Sequence, residues 1–330
     1  MIRNDIENKN SSDIKLSIGI PTYNGADYIR DTINSIIIQL EAINEKVEIV
    51  VSDNASIDDL YKIIQECQKK HPNLISYNRN CRNIGFDRNC DLVVRKSRGE
   101  FVWLLSDTDK IVEGGIKKVL EVINKHPYIA AIFVNYYNGI NLNCTQDGLC
   151  LGGNDFFYKS SFKSGLMSSN IVRKNIWENI DVSKYFDTFW IHVGVLTEVL
   201  SNRQGYIITP YLVTQGHLKT PRWGHDGTNL NVGFEFIKII KNMSKYGYRE
   251  DVIKKGVYAI EGGYYIVIPF AKSHGLKVNL GFIKEFYKLH NNLSFWLIYL
   301  PLLLIPRQFY NYRVLEFLYK KFIKKHRNEK

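Results

Sequence analysis

The chain has 330 residues, about twice the usual length of one domain, which suits either one large α/β domain with an appendage or two domains. Its 45% hydrophobic and 13% aromatic content against 23% charged residues excludes disorder for most of its length. The net charge is +11, and residues 307–330, with eight Lys/Arg and two Asp/Glu, hold +6 of it, so the tail rather than the body is basic.

From Leu16 to about Asn138 short β-rich runs alternate with helical segments, as in a mostly parallel sheet with crossover helices. The runs Leu16–Pro21, Val47–Ser52, Ile75–Asn78, Phe101–Ser106 and Ile129–Asn135 are predicted as strands. Asp27–Leu40, Asp58–Lys70, Gly85–Arg95 and Gly114–Lys125 carry apolar residues at helical spacing. Ligands of such sheets bind at the carboxyl ends of the strands, so the polar residues after each strand are the first functional candidates. Gly139–Asn154 is Gly/Asn/Cys-rich and reads as a loop. Beyond it, Gly165–Val172 and Gly205–Pro210 are expected to be short strands. Trp190–Leu200, Leu230–Tyr246, Arg249–Ala271 and Phe282–His290 are expected to be helices.

The five cysteines, Cys67, Cys81, Cys90, Cys144 and Cys150, are odd in number and form no C-x-x-C pair. That argues against a disulfide framework and against a zinc site, and suits reduced thiols in the cytosol. Met1–Lys15 is polar and lacks the apolar core of an export signal. The apolar run Phe295–Ile305 is shorter than the roughly 20 residues that span a bilayer, so it is expected to lie on a membrane rather than cross one.

Four post-strand signals occur in order: Pro21-Thr22-Tyr23-Asn24, Asp53-Asn54-Ala55-Ser56, Asn83-Ile84-Gly85-Phe86-Asp87-Arg88-Asn89, and Gly99 to Asp109 ending in Asp107-Thr108-Asp109. Each alone could be a strand exit or a helix cap. Their occurrence at successive strand ends, which converge on one crevice, gives them weight. This set resembles the inverting family 2 glycosyltransferases of the GT-A fold over residues 14 to 135, and most of all transferases of the O-antigen, abequosyltransferase type. The resemblance implies an α/β fold: a mostly parallel sheet flanked by helices, with a helical C-terminal extension.

The same resemblance implies a nucleotide-diphosphate-sugar donor and a glycan acceptor of a surface polysaccharide. It also implies a divalent metal, Mg²⁺ or Mn²⁺, because the leaving diphosphate carries charge that a hard cation neutralises. Asp109 is then the primary metal ligand, while Asp107 touches the ribose or a metal-bound water. Asp53 would accept a hydrogen bond from the pyrimidine, with Pro21, Thr22, Tyr23 and Asn24 lining the nucleotide site. Arg88, after the Asn83/Gly85 turn, would reach the pyrophosphate or hold the Asp-x-Asp loop, a structural ion pair being its alternative. Asp58 and Asp59 read as caps of the following helix.

An inverting displacement needs a base for the acceptor hydroxyl. The family's usual Glu-Asp is absent here. Its nearest counterpart is Tyr185–His192, where Asp187 is the candidate base or else the N-cap of the helix near Trp190. His192 is the second candidate, against a core histidine. Gln215–His225 is a polar cluster that would bring His217 to the metal and Lys219 or Arg222 to the phosphates, or else an ordinary surface loop.

These readings divide the chain into a glycosyltransferase domain at 1–228, with a nucleotide-sugar half at 1–138 and an acceptor half at 139–228, and a helical region at 229–330. An oxidoreductase is disfavoured because no G-x-G-x-x-G follows the first strand. A nucleotidyltransferase is disfavoured by the missing Gly-rich basic loop. In the C-terminal region the positive residues interleave with apolar ones, which suits an anionic lipid surface better than nucleic acid. A peripheral place on the cytoplasmic face of the inner membrane follows, facing a lipid-linked acceptor. Packing of Phe295–Ile305 against the body or a second subunit is the alternative, and an inactive sugar-binding protein of the same fold is the other reading of the whole chain.

Overall fold

A computed structural model describes residues 13–137, 142–216, 229–261 and 264–310. They fall into two compact units, the first within residues 13–216 and the second within 229–310.

In the first unit, β1 (Ile14–Thr22) places Leu16, Ile18 and Ile20 on one face and Ser17, Gly19 and Pro21 on the other. Both faces are buried, as in a central strand covered by helices on two sides. The chain continues through α1 (Ala26–Leu40), β2 (Lys46–Asp53), α2 (Leu60–Lys70), β3 (Ile75–Arg79), α3 (Phe86–Lys96), β4 (Phe101–Leu104), β5 (Lys110–Ile111) and α4 (Gly115–Lys125). After these come β6 (Ala131–Tyr137), β7 (Gly148–Cys150), α5 (Gly153–Lys159), β8 (Asn170–Arg173), α6 (Lys174–Glu178), α7 (Ile191–Val199) and β9 (Gly205–Thr214). The helices bury stripes at helical spacing: α1 turns Ile29, Ile33 and Ile36 inward and α4 turns Ile116, Val119, Leu120 and Ile123. These pack on Leu16, Ile18, Ile20, Val51 and Trp103 of the sheet.

The sheet runs β3-β2-β1-β4-β8-β6-β9-β5, with β7 on β9. The first four strands are parallel, and β8 enters antiparallel between β4 and β6. Thr22 pairs with Asp53 and Asp53 with Arg79, so β1, β2 and β3 end level. That register builds the site: three consecutive strands release their chains along one edge.

Two expectations need correction here. The stretch 139–154 holds β7 and the start of α5, besides residues 139–141, which lie outside the described residues. The strand expected over Gly165–Val172 is instead two 3₁₀ turns, at Lys163–Gly165 and Met167–Ser169, followed by β8. The Asn170 side chain donates to the carbonyls of Ser164 and Leu166 at 2.8 Å each, and such local side-chain bonds compete with a strand ladder.

The second unit holds α8 (Asn229–Asn242), α9 (Glu250–Glu261), α10 (Tyr264–Ser273), α11 (Leu280–Leu289) and α12 (Leu300–Leu304), with a π-helical turn at Phe295–Tyr299. Over the helix expected at Arg249–Ala271, α9 and α10 are helical on either side of residues 262 and 263, which lie outside the described set. Leu230, Phe234, Ile237, Tyr264, Ile268 and Phe286 form its core. Phe295, Tyr299 and Leu303 join them, so one side of the apolar stretch is core. Buried Lys272 caps its end by donating to the carbonyls of Leu303 and Ile305. The other side, with Trp296, Leu297 and Leu304, is exposed. Among the described residues no helix is long and apolar enough to cross a membrane.

Candidate active site

The level ends of β1 and β2, the turn after β4 and the loop before α3 bring most of the predicted residues together. Thr22, the last residue of β1, donates from Oγ1 to Oδ2 of Asp107 at 2.5 Å. Both residues are buried. Thr32 of α1 donates to the Asp107 carbonyl at 2.9 Å, tying the turn to the helix below it. Gly25 leaves the room for this contact, since a Cβ there would overlap Asp107 Oδ2 and Thr22 Oγ1.

Asp109 is also buried. It accepts from Ser168 Oγ at 2.7 Å, from the Gly216 amide at 3.2 Å and from Thr108 Oγ1 at 3.3 Å. Burial nevertheless pushes its carboxyl above the usual carboxylate range, and nearby Asp107 adds to this. Ser168 and Gly216 were not singled out by sequence reasoning. Ser168 also accepts the Ser106 amide at 2.9 Å, so one hydroxyl fixes the start of the Asp-x-Asp turn and its last carboxylate. A Cβ on Gly216 would collide with the Thr108 carbonyl, so the chain after β9 lies directly on that turn.

At the end of β2, Asp53 is fully buried and accepts from Tyr77 Oη at 2.7 Å and the Ser56 amide at 2.8 Å. Arg79 Nε lies 3.7 Å away. Burial and the Asp53 bond push the Tyr77 hydroxyl well above its ordinary pKa. Asn54, next in the chain, shapes the loop before α3. Its Nδ2 donates to Asn83 Oδ1 at 2.8 Å, and its Oδ1 accepts the Ile84 amide at 2.9 Å. Asn83 Oδ1 also takes the Gly85 amide at 2.9 Å, and Gly85 has φ +88°, a conformation that favours glycine. Pro21 lies in β1 opposite Ser52. Tyr23 is 39% exposed, and Asn24, with φ 53°, donates its amide to Ser56 Oγ and accepts from Ile57. Asp58 bridges the Ala26 and Leu60 amides, whereas Asp59 makes no side-chain cap bond to α2.

The base candidates are placed differently. Asp187 is exposed and does not cap α7; its carboxylate is bound by Arg88 at 2.5 and 3.0 Å. That guanidinium holds the Asp187 carboxyl below the usual range. Arg88 is thus placed in an ion pair across 99 residues of chain, the structural alternative to holding the Asp-x-Asp turn, with Phe186 and Asp187 directly beside it. The entry into α7 is held instead by buried Asp87, which accepts from Phe189, before the helix, at 2.9 Å and from Ile191, its first residue, at 3.1 Å. Burial raises Asp87 to about 6 despite those bonds.

His192 is a core residue, 3% exposed, with its ring edge-on to Phe86 and Nε2 at 3.0 Å from the Gly165 carbonyl. Burial lowers its pKa to about 4, so it is neutral and out of reach of an acceptor. His217, Lys219 and Arg222 lie outside the described residues.

For a hard cation the donor set offers carboxylate oxygens from Asp107 and Asp109. No group of three or more His, Cys, Asp or Glu side chains that could hold an ion occurs among the described residues. Buried Asp109, raised by desolvation, is a charge that a cation would balance. The two carboxylates thus fit a divalent ion that takes its remaining oxygens from a substrate and water.

Residues 17–171 match the glycosyl transferase family 2 model. The chain carries a family 2 glycosyltransferase domain. It is 29% identical over 226 residues to the abequosyltransferase RfbV of Salmonella typhimurium, covering 61% of this chain and 66% of that protein. The chain spans less than two thirds of the length of the curated relatives it matches. In fold it is similar to residues 1–349 of TarS from S. aureus in complex with UDP-GlcNAc, with a TM-score of 0.60 at 15% identity over 96% of this chain and 91% of that one. It is also similar to a Pyrobaculum calidifontis mannosyltransferase in complex with GDP-Man and Mn²⁺, with a TM-score of 0.55 at 13% identity over 97% and 89%. The fold is GT-A, a mixed α/β sheet with flanking helices and a helical C-terminal region. Within this family 2 domain lie β1 to β4 with the Asp-x-Asp turn and Ser168, whereas Asp187 and Gly216 lie beyond the matched residues.

Proposed function

We propose that the chain is an inverting glycosyltransferase that moves a sugar from a nucleotide-diphosphate donor to a hydroxyl of a surface-polysaccharide precursor. The observation that carries this reading is the convergence of Thr22, Asp53, Asp107 and Asp109 at adjacent strand ends, linked by the Thr22–Asp107 bond. Asp53 and Tyr23 take the nucleotide base, by hydrogen bond and by ring face. Asp109 and Asp107 would hold Mg²⁺ or Mn²⁺, which supplies charge neutralisation at the diphosphate when bound. Asp187 takes the acceptor proton. The abequosyltransferase relative supports transfer of a sugar, and the chondroitin synthase of Escherichia coli, 27% identical over 126 residues, supports a polysaccharide product.

The purified chain is tested against UDP-, GDP-, CDP- and dTDP-sugars in Mn²⁺, with release of nucleoside diphosphate as the readout. Turnover with one nucleotide class, abolished by EDTA and restored by Mg²⁺ or Mn²⁺, is expected. Full turnover in EDTA removes the metal from the reading, and no binding of any nucleotide removes the donor site.

A lipid-linked acceptor belongs to the same reading, with the protein held on the cytoplasmic face of the membrane by its C-terminal region. Exposed Trp296, Leu297 and Leu304 support this, followed in sequence by the basic residues 307–330. Removing residues 294–330 would also strip Phe295, Tyr299 and Leu303 from the core, so the cleaner variant is Trp296→Ser with Leu297→Ser. It is expected to stay folded and to lose sedimentation with anionic vesicles. Unchanged sedimentation would exclude this face.

A further inference from the structure

Asp87 and Arg88, neighbours in the first turn of α3, hold the same stretch of chain by opposite means. Asp87 is buried and fixes the backbone, accepting the amides of Phe189 and Ile191. Arg88 is half-buried and fixes a side chain, forking onto both carboxylate oxygens of Asp187 with its guanidinium 4.6 Å from the centre of the Phe186 ring. Within that stretch Asp187 and Phe189 adopt φ of 65° and 66°. This conformation costs a non-glycine residue energy, and it persists only where surrounding contacts impose it. The Asp87 bonds and the stacking of Phe189 on Phe86, with ring centroids 6.2 Å apart, impose it here.

The backbone of the segment is therefore anchored by buried contacts, while among the described residues its carboxylate is held only by an exposed, exchangeable one. A carboxylate gripped by a guanidinium is ionised but a poor proton acceptor. The guanidinium fork that fits a carboxylate fits a diphosphate equally well.

We propose that Arg88 is shared between Asp187 and the donor diphosphate, holding the base while the site is empty and releasing it when a donor arrives. This rests on the reading above, in which Asp187 is the base and the carboxyl edge takes a nucleoside diphosphate. In the transfer itself the acceptor O–H proton passes to Asp187 and the acceptor oxygen bonds to the anomeric carbon. The bond from that carbon to the phosphate oxygen breaks, and its electron pair leaves on the nucleoside diphosphate. Arg88 makes and breaks no covalent bond; it is a positioning residue. The consequence is order: Asp187 gains its full basicity only once the donor is seated.

Competition for one guanidinium can be measured without knowing the acceptor. The full chain and its Asp187→Asn, Arg88→Gln and double variants are titrated calorimetrically with UDP, GDP, CDP and dTDP in Mn²⁺, using the nucleotide that the wild type binds. Asp187→Asn should bind it about threefold tighter, the scale of one exposed ion pair, and Arg88→Gln should bind it more weakly. In the Arg88→Gln background, Asp187→Asn should change nothing. An unchanged affinity for the single Asp187→Asn variant overturns the proposal. So does equal tightening in both backgrounds, which is the plain field effect of a lost negative charge. If no nucleoside diphosphate binds the wild type, the donor-site reading itself fails, and the two failures are told apart. Arg88→Lys, which keeps the charge and loses the fork, should release Asp187 in part and serves if Arg88→Gln melts early.

Discussion

The donor-side edge and the segment that carries Asp187 are built by different means. Thr22, Asp53 and Asp107 stand at or just beyond the ends of buried parallel strands; their side chains bond to one another or to a neighbouring strand residue, and Thr32 of α1 donates to the Asp107 carbonyl. Residues 186–190 follow a 3₁₀ turn, contain two residues at positive φ and depend on Asp87 and Arg88 for their place. Diphosphate charge has to be met by fixed groups, and strand ends supply those. A group that must first hold back and then accept a proton belongs on a segment whose grip can change. Under the proposed function, rigidity serves the donor side and adjustability the acceptor side.

The comparison breaks if the two sides respond alike to loss of charge. The largest effect is expected on the adjustable side: Asp187→Asn should lower turnover by about 10²- to 10⁴-fold, as loss of an acid–base group does, while nucleotide binding tightens about threefold. Asp109→Asn should lower turnover by about 10²- to 10³-fold, the scale of a lost electrostatic stabiliser. Its melting temperature should hold or rise, because burial already disfavours the charged carboxyl. Steady-state kinetics beside a thermal melt checks both. A fall in stability for Asp109→Asn would make that carboxylate structural.

The two regions also differ in how far they can be read without a structure. The strand ends were legible because each carries its polar residues contiguously after an apolar run, and the level register of β1, β2 and β3 follows from that pattern. Ser168 and Gly216 were not legible, because they reach Asp109 from 59 and 107 residues away and no local periodicity marks them. Asp87 was hidden beside Arg88: an Asp in the first turn of a helix reads as a dipole partner of its own helix, yet this one serves amides at the entry to α7. The amphipathic split of Phe295–Ile305 was invisible for the opposite reason. A run of nearly uniform apolarity does not say which of its residues face the core.

A smaller effect sharpens the rigid side. Ser168→Ala removes the donor to Asp109 and the acceptor of the Ser106 amide together. Turnover should fall about tenfold, the equivalent of roughly 1.4 kcal/mol, which lies within the cost of an unsatisfied buried group. Ser168→Thr, which restores the hydroxyl, should recover part of it. Equal loss in both variants would point to packing rather than to the hydrogen bond.

The smallest effect concerns the anchor of the adjustable segment. Asp87 is raised from 3.8 to about 6 by burial, so the folded chain binds its proton more tightly than the unfolded chain does. Between about pH 4 and pH 6 the native state therefore carries more protons at this site than the unfolded state, and the Asp87 contribution to stability falls as pH rises. Above that window both states are ionised and the contribution is flat. Other carboxylates impose their own slopes, so the quantity to follow is the melting temperature of wild type minus that of Asp87→Asn. It should decline by a few degrees from pH 4 to pH 6, since 1 kcal/mol is worth about 2–4 °C in a chain of 150–250 residues, and stay level above pH 7. A difference that grows with pH would mean that the Phe189 and Ile191 amides outweigh burial, holding the ionised carboxylate so well that the anchor is as firm as the strand ends.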